Sequence, residues 1–309
     1  MKSIKYFIKF FGSLLFYRLG GLYLLKALLK KEPYLLVLNY HNFSKYNNFS
    51  IKRGSILETG YAVNFEKQVR FLKKHFTFLF PEEFFEAEPE KGINVLISFD
   101  DGYKDNYDIA YPILKKQQAK TIFFVVTSLI GTNEWLRHDK LRLLVAHNLL
   151  LENEVESALR KMNKGIALPD EIIVQSKQYE QYSGSRTLMM NWSELKEIQA
   201  QGFKIMPHTA NHAILSFLNK EEQEQEIMGS INRIDSELHQ NSDYFAYPNG
   251  LYDSRTIEVL KSSDIKYGFT TIPGTNTKKE KRLELKRIGI NASDSVSLLL
   301  LKLFMAAIK

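Results

Sequence analysis

The stretch Asn94-Val95-Leu96-Ile97-Ser98-Phe99-Asp100-Asp101-Gly102 decides how the rest of the chain is read. Val95, Leu96, Ile97 and Phe99 form an apolar, β-favouring run bounded by Gly92 and Gly102, the pattern of a buried strand. That strand ends in two adjacent carboxylates. Side chains alternate across a strand, so Asp100 and Asp101 flank a site from two directions instead of crowding one point. Such a pair suits a division of labour in which one acid holds a cation and the other moves protons. Taken alone, the stretch is equally compatible with a plain strand-to-helix turn, because Asp and Gly are turn residues.

A second stretch, His208-Thr209-Ala210-Asn211-His212, changes that balance. Two histidines at i and i+4 on a helical turn have Cβ atoms about 6 Å apart on one face, close enough to share a metal ion. A lone pair of this kind is more often a surface or core feature than a ligand pair. Two histidines plus one carboxylate, with a position left for water, is the ligand set of hydrolytic zinc-type sites, and Asp101 supplies a carboxylate.

With Phe245-Ala246-Tyr247-Pro248-Asn249-Gly250 as a third stretch, the ordered combination F-D-D-G, H-T-x-x-H and Y-P-x-G resembles the polysaccharide deacetylases of carbohydrate esterase family 4, the NodB-like domain. The resemblance runs from about Tyr34 to about Ala292. It implies an α/β fold, a distorted and incomplete (β/α) barrel, and a metal-dependent hydrolase that removes N-acetyl groups from amino sugars of a poly- or oligosaccharide. Carried over residue by residue, Asp100 is the catalytic base, and Asp101, His208 and His212 bind one divalent ion, zinc before other divalent transition metals. The backbone N–H of Tyr247 holds the developing oxyanion.

The chain also departs from the family's pattern. Many members take their acid from a histidine near the carboxyl end, whereas no histidine here follows His239. One branch carries a Tyr-His pair at the end of its first core strand with the His facing the site, and Tyr40-His41 matches it, which makes His41 the candidate acid for the leaving amine. The family's common arginine in the third motif falls on Ala246, so Arg287 takes its place only if the fold brings it close. Trp192 and Tyr103 are candidates to line the sugar site, although each is equally ordinary as a packing residue. Two other readings share these residues. One is a deformylase or amidase acting on another lipid-linked sugar, the other a non-catalytic glycan-binding protein.

The 309 residues are 44% hydrophobic, enough for a large core. Cysteine is absent, which excludes disulfides and thiolate ligands and leaves the compartment open. The net charge of +7 has one source: Lys2, Lys5, Lys9, Arg18, Lys26, Lys30 and Lys31 precede the first acid, Glu32, and without those seven, 35 basic residues face 35 acidic ones. Interleaved with Phe7, Phe10, Phe11, Leu14, Leu15, Phe16, Leu22, Leu24 and Leu25, this segment fits an anionic membrane surface and not a nucleic acid, for which no motif occurs. Lys9 and Arg18 keep its apolar runs shorter than a spanning helix, and no small-x-small cleavage site follows. The expected organisation is a basic amphipathic segment over 1–32 and a deacetylase domain over 33–309, with an insertion at about 129–188 beside the substrate cleft. The expected location is the cytoplasmic face of a bacterial membrane, an uncleaved signal-anchor being the alternative.

Elsewhere the pattern predicts strands at Tyr34–Tyr40, Thr77–Phe80, Thr121–Val126, Phe203–Met206, Tyr244–Tyr247, Tyr267–Thr271 and Lys286–Ile290. Helices are expected from Asn64 as N-cap through His75, over Tyr107–Gln117 with Pro112 clouding its start, and around Asp139–Lys161. Others begin at Trp192-Ser193, run from Asn219 to Leu238, span Ser254–Lys261 behind the cap Asp253, and close the chain within Ser293–Lys309. Strands separated by helices along the chain argue for a parallel sheet, with ligands gathered at the strands' carboxyl ends.

Overall fold

The computed structural model describes residues 11–43, 56–89, 91–132, 134–146, 157, 161 and 188–309. Strands β1 (Pro33–Tyr40), β2 (Thr77–Phe78), β3 (Gly92–Phe99), β4 (Thr121–Val125), β5 (Lys204–Pro207), β6 (Tyr244–Ala246), β7 (Tyr267–Phe269) and β8 (Ile288–Gly289) are interspersed with helices. The helices are α1 (Gly21–Leu28), α2 (Ile56–His75), α3 (Pro81–Phe85), α4 (Tyr111–Gln117), α5 (Arg137–Ala146), α6 (Trp192–Ala200), α7 (Lys220–Leu238), α8 (Ser254–Lys261) and α9 (Val296–Ala307).

All strand pairs are parallel, in the order β5-β4-β3-β1-β8 with β2 beside β3, while β6 and β7 form a separate pair. A bridge from Phe269 to Leu285 links β7 to the segment entering β8, so among the described residues the strands go round as a barrel with one unlaced seam, between β5 and β6. The strand alternation accounts for its filling. Leu35, Val37, Leu96, Ile122, Phe124, Met206, Tyr244, Ala246, Tyr267, Phe269 and Leu285 pack together inside. Their neighbours Leu36, Leu38, Val95, Ile97, Phe99, Phe123, Val125 and Ile205 face out against α2, α4, α6 and α9. Burial on both faces is why the strands read as continuous apolar runs. Followed one step further, the inward set becomes polar: Asn39, Ser98, Asp100, His208 and Arg287 lie beyond that apolar filling and are all buried. The site is therefore the last inward layer at the carboxyl ends of the strands.

Three local expectations are corrected. Helix α2 begins at Ile56, and Asn64 lies within it, its amide donating to the Ser293 carbonyl at 3.4 Å instead of capping. A turn of π-helix, Asn106–Ala110, precedes α4 and lets Pro112 sit in that helix's first turn, where a missing N–H is harmless. The basic amino-terminal segment is not detached from the domain. Leu25 and Leu29 belong to the outer core, the Phe16 and Phe304 rings stand 4.9 Å apart, and the Ser13 and Ser297 hydroxyls are 3.3 Å apart. Its other side leaves Leu15, Leu19 and Tyr23 exposed. No helix among the described residues is long and apolar enough to cross a membrane. Residues 1–10, and most of the 129–188 segment beyond α5, lie outside the described residues.

Candidate metal centre

Asp100 continues the inward side of β3. The Arg287 guanidinium meets it with two hydrogen bonds, Nη1 to Oδ1 at 2.7 Å and Nη2 to Oδ2 at 2.8 Å, and Asn39 Nδ2 donates to Oδ2 at 3.0 Å. Arg287 is itself fixed by Nε donating to the Thr270 carbonyl at 2.7 Å and by lying 5.7 Å over the Phe124 ring. Burial would raise the Asp100 pKa, but the charges of Arg287, His208 and His41 hold it below the ordinary carboxylate value. The arginine missing at Ala246 is thus supplied from the segment before β8. Positions 246 and 287 both face the barrel interior, and the small Ala246 fills the first while Arg287 carries the charge from the second.

Asp101 departs from the alternation expected of it. Its φ is 80° and that of Gly102 is 88°, so the chain leaves β3 in a left-handed turn and swings the second carboxylate toward His208 and His212. At Gly102 a side chain would also be crowded, since a Cβ would stand 3.0 Å from Ile130 Cδ1 and 3.2 Å from Val125 Cβ. Such backbone is costly for a non-glycine residue and persists where the surroundings over-determine it, as they do at functional sites.

His208 and His212 do not sit on a helical turn. Strand β5 delivers His208, and the chain then curls through Thr209 (φ 65°) to His212 (φ 56°), which brings the ring centroids to 5.1 Å. The curl is pinned from both sides. Ser128 N–H donates to the Ala210 carbonyl at 3.0 Å, while Ala210 N–H reaches the Glu226 carbonyl at 3.0 Å and the Asn211 N–H and amide bond the Glu226 carboxylate at 2.8 and 2.7 Å. Across the unlaced seam, His208 Nδ1 lies 2.8 Å from the Ala246 carbonyl. A carbonyl only accepts, so Nδ1 carries the hydrogen and Nε2 is left with its lone pair toward Asp101.

One ligand atom from each of Asp101, His208 and His212 lies within 4.8 Å of the others. His212 Nε2 and His208 Nε2 stand 3.3 and 3.7 Å from Asp101 Oδ1, close to the roughly 3.3–3.5 Å that separates ligand atoms around a tetrahedral ion with bonds of about 2.0–2.1 Å. Both Asp101 oxygens are buried and accept no hydrogen bond, the His212 contact falling outside hydrogen-bond geometry. A buried carboxylate without a donor is expensive, and a cation beside it removes the cost. The residues present therefore fit a divalent metal. Burial pushes His208 down to about 4 against the pull of Asp100 and Asp101, which keeps it neutral as ligation requires. Burial also lowers His212, but the Asp101, Asp100 and Asp139 carboxylates leave it raised overall, and Asp101 is held well below the usual range despite its burial by His212, His41 and His138.

His41 stands at the rim, Nε2 4.0 Å from Asp100 Oδ2, with half its side chain open to solvent. The Tyr247 expectation fails. Its N–H donates to the Phe269 carbonyl at 3.1 Å as part of the β6-β7 pairing, its ring packs outward against α7 and α8, and its hydroxyl donates to the Leu283 carbonyl at 2.6 Å. The amide is already satisfied and is not an oxyanion donor. Trp192 packs on the outer core beneath the Arg233 guanidinium. Tyr103 is buried beside the centre, its hydroxyl donating to Asp139 Oδ2 at 2.6 Å and lying 3.0 Å from His138 Nε2. Sequence reasoning missed His138 and Asp139, which no motif contains. The one available signal was a His-Asp pair in the segment read from the sequence as an insertion.

A sequence description of the polysaccharide deacetylase family matches residues 87–268, more than half of the chain. Among known proteins, YxkH of Bacillus subtilis is 24% identical over 274 residues, covering 87% of this chain and 75% of its own. A poly-beta-1,6-N-acetyl-D-glucosamine N-deacetylase of Staphylococcus aureus is 28% identical over 256 residues, covering 79% of this chain and 74% of its own. Of solved structures, the Streptococcus pyogenes deacetylase PplD superposes with a TM-score of 0.60 at 24% identity, covering 88% of this chain and 99% of its own. IcaB from Ammonifex degensii gives 0.57 at 20% identity, covering 88% of this chain and 97% of its own. The parallel barrel, the unlaced seam and the acid-histidine centre at its carboxyl end are accounted for together: this chain belongs to the polysaccharide deacetylase family.

Proposed function

We propose that the chain hydrolyses the N-acetyl amide of amino sugars within a poly- or oligosaccharide, with a β-1,6-linked N-acetylglucosamine polymer as its nearest substrate type. The observation that carries this reading is the pairing of two differently held carboxylates, Asp100 clamped by Arg287 and Asp101 facing two histidine nitrogens. A divalent ion held by Asp101, His208 and His212, zinc in the first instance, supplies Lewis acidity toward the acyl oxygen and toward a water.

The chain's own residues do the proton work. Asp100, ionised at neutral pH, accepts a proton from the attacking water, and Arg287 and Asn39 fix its direction. His41 donates a proton to the departing nitrogen from the open rim, its Nε2 4.0 Å from Asp100 Oδ2. The C–N bond breaks as the new C–O bond forms, and acetate and a free amino sugar leave. The exposed Leu15, Leu19 and Tyr23, beside the exposed cations Arg18, Lys26, Lys30 and Lys31, support a resting place on an anionic membrane near a lipid-linked or envelope glycan.

Metal analysis of the purified protein together with acetate release from polymeric and lipid-linked N-acetyl sugars tests the reading. One bound ion per chain and acetate release from at least one polymer are expected. Formate release from N-formyl sugars without any acetate release would assign the same centre to a deformylase.

A further inference from the structure

The two oxygens of Asp101 face different company. Oδ1 is turned to His212 and His208, at 3.3 and 3.7 Å. Oδ2 is turned to His138, whose Nε2 lies 4.0 Å away. His138 enters from α5, in the segment between β4 and α6 that differs most from the family's core, and its ring stands 5.5 Å from that of His212 at an angle of 61°.

Its neighbours settle which of its atoms faces the carboxylate. The Tyr103 hydroxyl has a single proton, and the 2.6 Å contact with Asp139 Oδ2 uses it. The 3.0 Å contact between that hydroxyl and His138 Nε2 then requires the phenol oxygen to accept, so Nε2 carries the hydrogen. Asp139 Oδ1, 3.7 Å from the same nitrogen, favours that arrangement. A nitrogen bearing hydrogen is no metal ligand. It is a donor edge beside the unpartnered oxygen of the metal-binding carboxylate.

We infer that His138 is a positioning residue for the metal centre. Its Nε2–H, hydrogen-bonded to the Tyr103 oxygen, is held 4.0 Å from Asp101 Oδ2, an electrostatic attraction that turns that oxygen aside and favours Oδ1 as the oxygen offered to the ion. Tyr103 and Asp139 act one step further out by fixing the ring. The inference rests on the metal-binding reading above and adds to it that a ligand's support comes from α5, outside the three motifs. Metal-ligating carboxylates are themselves hydrogen-bonded, and loss of such an outer partner typically costs 10–100-fold in affinity.

The test is zinc affinity by competition with a chromophoric chelator, together with the metal-free melting temperature. His138→Leu fills a similar volume without a donor and is expected to weaken zinc binding about 10–100-fold with little change in melting. His138→Gln, which can place an N–H near the same point, is expected to recover most of the affinity, and Tyr103→Phe, which removes only the hydroxyl, to lose part of it. Equal zinc affinity of His138→Leu and the parent chain overturns the inference while leaving the three-ligand centre standing. Loss by His138→Leu as complete as that of His212→Ala, with one histidine fewer around zinc by X-ray absorption, also overturns it, because His138 is then a direct ligand. A parent chain that binds no zinc or other divalent ion sinks this inference and the metal-binding reading together.

Discussion

Replacing Arg287 with methionine removes the guanidinium and keeps an unbranched stem of similar reach against Phe124. Three good hydrogen bonds disappear, two to Asp100 and one to the Thr270 carbonyl, and Asp100 is left as a buried anion with Asn39 alone. Removing one partner of a buried pair costs about 3–5 kcal/mol, a large share of a total that is typically about 5–15 kcal/mol. The same change shifts the balance on Asp100 upward, because burial raises its pKa and Arg287 is the largest opposing influence, leaving His208 and His41. In the parent chain the folded pKa lies below the ordinary 3.8, so the stability Asp100 contributes is present above pH 3.8 and is lost as pH falls through the folded value. In Arg287→Met the folded pKa rises, and the acid limb of the rate profile moves to higher pH with it. Urea unfolding at pH 7, followed by the fluorescence of the two tryptophans, reads the first effect, and acetate release against pH reads the second. The double variant Asp100→Asn/Arg287→Met loses less than the sum of the two single changes, since neither charge is then stranded. A loss below about 1 kcal/mol with an unmoved acid limb refutes the reasoning, because Asp100 would then not depend on Arg287.

Metal content falls sharply in Asp101→Ala, His208→Ala and His212→Ala, whereas Asp100→Asn keeps its metal and loses most turnover; full metal in His212→Ala would remove it from the ligand set. His41→Ala slows turnover with metal content and melting temperature unchanged, and unaltered turnover would return His41 to an ordinary rim residue. Leu19→Glu/Tyr23→Glu, both at strongly exposed positions, reduces sedimentation with anionic vesicles but not activity on short soluble sugars. The remaining binding weakens with salt. Equal binding by parent and variant would move the contact elsewhere.

Most of the fold was legible because strands buried on both faces announce themselves as short apolar runs, and caps such as Asn219 and Asp253 mark helix starts with few alternatives. The two acids and two histidines were legible for a different reason, their order along the chain. What misled was local geometry. H-T-A-N-H has helical spacing, yet left-handed Thr209 and His212 bring the rings together without a helix. Tyr247 sits inside a quoted motif, but strand parity turns its ring outward and pairing consumes its N–H. Arg287 and His138 were illegible as partners because each is joined to the site by tertiary packing, 187 residues from Asp100 in the first case. An N-cap expected at Asn64 failed because the helix begins at Ile56 and leaves Asn64 in its interior.

The bond from His208 to the Ala246 carbonyl has a mechanical side. No ladder of backbone hydrogen bonds joins β5 to β6 among the described residues, so this side chain is a rivet through the one place where the barrel wall is open. The nitrogen on the far side of the same ring lies 3.7 Å from Asp101 Oδ1, at the candidate metal centre. An ion held there would immobilise the ring and, through it, the join between β5 and β6, whose sheets are otherwise linked on the far side by the Phe269–Leu285 bridge. Metal loading should therefore slow amide hydrogen exchange along β6 and β7 more than along β1 and β3, which are laced to each other over their whole length. If exchange changes in this way, occupancy of the centre and closure of the wall would be one equilibrium.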